Sequence, residues 1–196
     1  MFYLFPKIIK PEVCDRIVEN CKDKNLSSAK VKHVAGDSSA REHPDIRKTL
    51  IHFVPPDLSD EANTIAWHLM KEANKELFKY DLTYFQNIQF GEYKDGGFYD
   101  WHTDSYLNAE PNKTRKLSLS LMLTDPDTFE GGEFQFFNGG RPFAEQGDID
   151  DKELNKDLKA KGSVVVFDSR DFHRVTPVTH GVRYSVVCWA TGANFK

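Results

Sequence analysis

The chain has 196 residues, a net charge of −4 and an isoelectric point near 6.0. That length can bury one core, alone or with an N-terminal extension, and the acidic balance gives no basic footprint for nucleic acid as the main partner. No apolar run approaches a membrane span, and the opening Met1–Phe5 is cut by Pro6 and Lys7, too brief for a signal peptide. Cys14, Cys21 and Cys188 form an odd set without disulfide spacing, so the sequence predicts a reducing, cytoplasmic setting.

Pro11 is expected to start a helix that carries Val13, Cys14, Ile17, Val18 and Cys21 at helical spacing. Residues 25–56 read as irregular and polar, and His33, His43 and His52 fall there as surface residues. A second helix, capped by Asp57 or Ser59, carries the apolar stripe Ala62, Ile65, Ala66, Leu69, Ala73 and Leu77. His68 lies beside that stripe and reads as a packed or surface residue. From Leu82 the pattern changes to short strands. Tyr84–Phe90 alternates, and Leu117, Leu119, Leu121 and Leu123 alternate strongly with Ser118, Ser120, Met122 and Thr124. Asp125-Pro126-Asp127 and Gly131-Gly132 bound a turn before Glu133–Phe137, while Val164–Phe167 and Arg183–Ala190 read as further strands. The charged stretch Arg141–Lys161 reads as a solvated insertion in preference to a substrate lid, with a short helix over Asp150–Lys159. The sum is an α+β protein in which residues 1–80 form a helical support region and residues 81–196 a β-sandwich or barrel. No dinucleotide or phosphate-binding glycine motif, G-x-S-x-G elbow or zinc-type C-x-x-C is present.

The step His102-Thr103-Asp104 is the main chemical signal. On a strand, H-x-D puts an imidazole and a carboxylate on one side, so both can take adjacent positions on a metal. By itself the step is more often part of a surface loop than a ligand pair. A third, distant His would complete the 2-His-1-carboxylate set that leaves positions open on Fe(II). His173, after the buried strand and the turn Asp168–Asp171, fits that role; His180 competes, but its Pro177–Gly181 setting reads as a hairpin turn. Asp168 and Asp171 read as turn caps. Arg183 and Ser185 share one face of the last strand, and an Arg pointing into a barrel needs an anion such as a dicarboxylate co-substrate. The alternative is a surface Arg or an ion pair with a protein Glu.

These motifs, Tyr93-x-x-Gly96-x-x-Tyr99-x-x-His102-x-Asp104, Glu130-Gly131-Gly132-Glu133-Phe134, His173–Val178 and Gly181-Val182-Arg183, resemble the Fe(II)- and 2-oxoglutarate-dependent oxygenases, in the prolyl 4-hydroxylase-like, PKHD-type branch. The resemblance covers roughly the last 110 residues. It implies a double-stranded β-helix (jelly-roll) core with supporting N-terminal helices. It implies His102, Asp104 and His173 as iron ligands, Arg183 with Ser185 on the distal carboxylate of 2-oxoglutarate, and Tyr93 hydrogen-bonded to that co-substrate. Strand alternation then places Ser120, Met122, Phe134 and Trp189 along the pocket, with Tyr99 and Trp101 on the substrate side. The family's chemistry would give succinate, carbon dioxide and a hydroxylated peptidyl residue, proline first, with ascorbate as a further requirement common in the family. Halogenating relatives carry Gly or Ala where Asp104 stands, so the carboxylate implies hydroxylation. Collagen-type prolyl hydroxylases usually carry Lys where Arg183 stands, which leaves the subfamily open. Rival readings are an oxygenase of a free metabolite, a nucleic-acid demethylase with a basic groove beside the iron, a zinc hydrolase, or a jelly-roll binding module without turnover.

Overall fold

The computed structural model describes residues 1–32, 40–55, 60–105, 112–137 and 152–195. In chain order the elements are β1 (Phe2–Phe5), α1 (Pro11–Cys21), β2 (Ser27–Ser28), β3 (Val31–Lys32), β4 (Ala40–Arg41), β5 (Arg47–Lys48), β6 (Leu50–Phe53) and α2 (Asp60–Ala73). A π-helical turn, Asn74–Phe78, ends α2. There follow β7 (Tyr84–Phe85), β8 (Gln89–Tyr93), β9 (Phe98–His102), β10 (Thr114–Met122), a 3-10 turn (Pro126–Thr128), β11 (Glu130–Gly131), β12 (Phe134–Phe136), α3 (Lys152–Lys159), β13 (Val164–Asp168), β14 (His173–Val175), β15 (Val178–His180) and β16 (Arg183–Gly192).

The strands form the expected double-stranded β-helix. An eight-stranded sheet runs β1-β13-β10-β16-β8-β6-β2, with β7 also on β16, and a four-stranded sheet runs β12-β14-β9-β5. Alternation sorts each long strand between two cores. Leu117, Leu119 and Leu121 of β10, Val164 and Val166 of β13, and Val186, Cys188 and Ala190 of β16 pack with Ile17, Ala66 and Met70 of the helices. Their neighbours Val165 and Phe167 turn the other way, to meet Tyr93, Phe134, Phe136 and Val175 between the sheets. Each such buried Leu or Val contributes about 1.5–3 kcal/mol. The three cysteines are buried free thiols, and burial pushes Cys14 and Cys21 up to about 11. Among the described residues no helix is long and apolar enough to cross a membrane.

Three details differ from the sequence reading. Residues 1–80 carry both helices, but they also supply strands to both sheets: β1 pairs with β13, β6 with β8 and β5 with β9. The expected strand Tyr84–Phe90 is broken at Gln86–Ile88, because α2 intervenes. Asn63 Oδ1 accepts from the Ile88 N–H (3.1 Å), and Trp67 Nε1 donates to the Gln86 carbonyl (3.1 Å). The apolar stripe of α2 reaches Leu77 in a π-turn, since the Asn74 amide bonds both the N–H and the C=O of Tyr80 (2.9 Å each) and closes the helix there. The helix expected over Asp150–Lys159 appears as α3; the proposed caps Asp57 and Ser59, His33, and residues 141–151 of the charged stretch lie outside the described residues.

The turn after β13, which leads to β14, is fastened at Asp168. Its Oδ1 accepts from Arg170 N and Nε (2.9 Å each), and its Oδ2 from Arg170 Nη2 (2.6 Å) and the Tyr80 hydroxyl. Burial alone would raise this carboxyl, yet the Arg170 and Tyr80 hydrogen bonds outweigh it and hold it below its ordinary value. A depressed folded value gives stability that is present above the unfolded carboxyl's pKa and lost as pH falls through the folded one. Asp168→Asn is therefore expected to destabilise the fold by about 1–3 kcal/mol at neutral pH, Arg170 being half exposed, with the penalty shrinking below about pH 4. Urea unfolding of both proteins at neutral and acid pH reads this directly.

Candidate active site

Antiparallel pairing of β14 with β9 sets His173 directly opposite His102. The H-x-D step then brings Asp104 beside them: its Oδ1 lies 3.8 Å from His102 Nε2 and its Oδ2 3.6 Å from His173 Nε2. The ligand atoms of the three residues all lie within 4.8 Å of one another. Both imidazoles are aimed in the same way. His102 Nδ1 meets the carbonyl of Asp100 at 2.7 Å, and His173 Nδ1 meets that of Asp171 at 2.9 Å. A carbonyl only accepts, so each Nδ1 carries the proton and each Nε2 presents its lone pair to the centre.

Asp104 is held on both sides. Its N–H and that of Ser105 donate to the Ser169 carbonyl (2.9 and 2.8 Å), while Ser118 Oγ donates to Oδ2 at 2.7 Å and lies 2.9 Å from Ser169 Oγ. Burial alone would raise the Asp104 carboxyl, but His173, His102 and Arg115 keep it well below the usual range. The Trp189 indole N–H, which finds no well-aligned hydrogen-bond partner, turns its dipole toward the same carboxylate. Burial, reinforced by His173, pushes His102 down and keeps its imidazole neutral. A neutral imidazole beside an ionised carboxylate is the state in which these groups bind a divalent metal.

The three residues sit in a cavity of about 790 Å³ that Arg183, Tyr93, Ser185, Ser120, Phe134 and Trp189 also line. Arg183 is 1% exposed, donates from Nη1 to Ser185 Oγ at 3.0 Å, and lies 5.1 Å from the centre of the Tyr93 ring. Its Nε has no acceptor, and among the described residues no carboxylate reaches it. Burial pushes its pKa down, the response of a charge without a counter-ion. This favours the anion-site reading over a protein ion pair. The Gly131-Gly132 step supports it: Gly132 has φ +61°, and a Cβ there would meet Arg183 Cδ at 2.8 Å. Met122, expected in the cavity, instead faces a recess of about 10 Å³ behind Arg183, shared with Leu158 and Ser163.

Tyr99, Trp101 and Trp189 all line the main cavity. Tyr99 stacks on His102, with ring centres 3.4 Å apart and planes 14° apart. Trp101 packs against Phe137 and under Arg174. The competitor histidines lie elsewhere: His180 is exposed opposite Glu130 on β11, and exposed His68 pairs with Glu72. His52, read as surface, instead lines the cavity.

Three contributors were not foreseen. Ser118 could have been, since it shares the cavity face of β10 with Ser120. Arg115 could not: strict alternation puts it with Leu117 on the helix side, but a bulge at Lys116 turns it into the cavity, 3.7 Å over the Trp189 ring. Arg47 comes from the two-residue strand β5 and lies 4.4 Å over the Tyr99 ring. With Lys30, these make the cavity more basic than the net charge of −4 suggests.

Comparison with known proteins agrees with this geometry. Residues 88–191 match the family model described as the 2OG-Fe(II) oxygenase superfamily. A PKHD-type hydroxylase of Teredinibacter turnerae is 36% identical over 104 residues, covering 52% of this chain and 41% of that protein, and one of Acidovorax ebreus is 35% identical over 106 residues, with 52% and 41% covered. The match thus spans about two-fifths of the length of these curated relatives. A Pseudomonas putida prolyl-4-hydroxylase structure has a TM-score of 0.70 at 20% identity, covering 98% of this chain and 93% of that one. A Trichoplax adhaerens prolyl hydroxylase, solved with a hypoxia inducible factor peptide fragment, has 0.72 at 15% identity, covering 97% and 83%. At those identities the solved structures establish the fold. With more than half of its residues inside the family match, the chain belongs to the 2OG-Fe(II) oxygenase superfamily, whose cofactor is Fe(II) and whose co-substrate is 2-oxoglutarate.

Proposed function

We propose that the protein hydroxylates a residue within a peptide or protein, proline first, with Fe(II), 2-oxoglutarate and oxygen, releasing succinate and carbon dioxide. The observation that carries this reading is Arg183, a buried guanidinium without a carboxylate partner in the same cavity as a His-Asp-His cluster. A zinc hydrolase or a passive metal-binding module has no use for such an unpaired charge, whereas a dicarboxylate co-substrate neutralises it. The PKHD-type hydroxylase relatives and the prolyl hydroxylase with its bound peptide support the substrate class.

In this scheme residues 81–196 carry the chemistry and residues 1–80 brace it. His102, Asp104 and His173 hold Fe(II) through Nε2, a carboxylate oxygen and Nε2. Arg183, with Ser185, Ser120 and Tyr93, binds and orients 2-oxoglutarate by its distal carboxylate. Tyr99, Trp101 and Trp189 hold the substrate and exclude water. Bound there, the metal and co-substrate supply the oxidising power that inserts one oxygen atom into a C–H bond. The protein's share is orientation, a dry cavity and the fixed tautomers set by the Asp100 and Asp171 carbonyls.

Two measurements test the scheme. Incubation with Fe(II), 2-oxoglutarate, 18O-labelled oxygen and a panel of proline-containing peptides is expected to yield succinate and one labelled oxygen on the peptide. His173→Ala should abolish both, and Arg183→Ala should raise the KM for 2-oxoglutarate by about 100-fold or more, the loss of a buried charge-assisted pair. Succinate formation without labelled peptide would remove the peptidyl reading. Separately, Ser118→Ala leaves Asp104 Oδ2 without its donor and should weaken Mn(II) or Co(II) binding about 10–100-fold at unchanged thermal stability, with Ser118→Thr restoring it.

A further inference from the structure

Beyond Arg183, which the proposed scheme assigns to the co-substrate, the cavity carries further positive charge. Arg47 and Lys30 line it together with Arg115, and Asp104 is the one carboxylate among the described lining residues. Arg47 covers the Tyr99 ring, which accounts for one face of its guanidinium, but its Nε is buried without an acceptor among the described residues. His52, from the adjacent strand β6, also holds a buried Nε2 without a partner. Arg115 is fixed by Gln86 Oε1 at 3.0 Å and by the Trp189 ring. Arg47 and Arg115 reach the cavity from separate strands, β5 and β10, the first over the Tyr99 ring and the second over the Trp189 ring. The buried Arg47 Nε, with the half-buried Arg115 and the exposed Lys30 lining the same cavity, calls for an acceptor that arrives with the ligand.

We propose that Arg47, backed by Arg115 and Lys30, forms a subsite for a carboxylate on the substrate, an acidic residue beside the one that is oxidised. This rests on the peptidyl reading above. Arg47, Lys30 and His52 lie outside residues 88–191, so the specificity is added by the N-terminal strands to a site that the family segment supplies. The rim chooses the kind of anion. Phe53 and Phe172, each 53% exposed, line the cavity, and Phe137 at 41% packs edge-on to Trp101, so the charge is framed by apolar surface. A peptide offers both a carboxylate and apolar neighbours. A nucleic-acid backbone needs a track of cations along the surface, and the chain's net charge of −4 opposes it.

The test is binding of three fluorescein-labelled peptides, alike except for Glu, Gln or Lys on both sides of a central proline, to the Fe(II)- and 2-oxoglutarate-loaded protein without oxygen, read by anisotropy. The Glu peptide is expected to bind at least tenfold more tightly than the Gln peptide. Arg47→Gln should cut that preference to twofold or less, Arg47→Lys should keep most of it, and Arg47→Glu should turn it toward the Lys peptide, all at unchanged melting temperature. Equal binding of the Glu and Gln peptides overturns the proposal, as does a preference that survives Arg47→Gln. Tighter binding of a single-stranded oligonucleotide of equal charge also overturns it, in favour of a phosphate ligand. Succinate formation with oxygen admitted reports separately on peptidyl hydroxylation: a Glu preference without turnover upholds the anion subsite and rejects that chemistry.

Discussion

The site depends on one register, His173 opposite His102 across β14 and β9. A strand's side chains alternate, so a slip of one residue would send His173 to the other face and leave the H-x-D step with no third ligand. The register is fixed from outside the site as well as within it. Phe134, Gln135 and Phe136 pair with Val175, Arg174 and His173, and the Asp168–Arg170–Tyr80 network anchors the turn that feeds β14. Packing of the aromatic core around His173, through Phe134 and Phe167, closes the remaining freedom. Precision at three ligand atoms is thus a property of sheet pairing and core packing together.

Desolvation then acts on every charge in the cavity, with different results. It drives His102 to its neutral form and, against the attraction of His173 and Arg115, fails to protonate Asp104. It weighs on Arg183, which has no counter-ion among the described residues. Groups that would be costly in a closed core are tolerable in a cavity that a ligand can enter. The helices contribute indirectly: they cover the Leu face of β10, which frees the Ser face to serve the cavity.

Much of this was legible in the chain. The Leu/Ser alternation of β10 and the Arg183–Ser185 face follow from the period of a strand, which is set by covalent geometry; the H-x-D pair meets as expected although β9 ends at His102 and Asp104 lies in the bend after it. What was not legible lies where pairing partners override local pattern. Ser27-Ser28 and Arg47-Lys48 are strands of two residues, too short to have a period, and exist because a sheet edge offers them hydrogen bonds. Arg47 therefore falls in a stretch that reads as irregular and polar, and His52, on β6, reads as surface, although both line the cavity. Arg115 was hidden by a bulge that alternation cannot anticipate. The break at Gln86–Ile88 was written in Asn63 and Trp67, about 20 residues upstream on a helix.

Gly132 gives the site a ruler. By lacking a Cβ it lets the Arg183 side chain lie flat against the turn, while Ser185 fixes the guanidinium from the other side. The metal ligands are equally immobile, held by two carbonyls, two serines and a sheet register. Two rigid anchors at a set separation measure the molecule strung between them. In the proposed scheme a diacid one carbon shorter would satisfy the metal or the guanidinium but not both, so discrimination among keto acids would be set as a length in the scaffold.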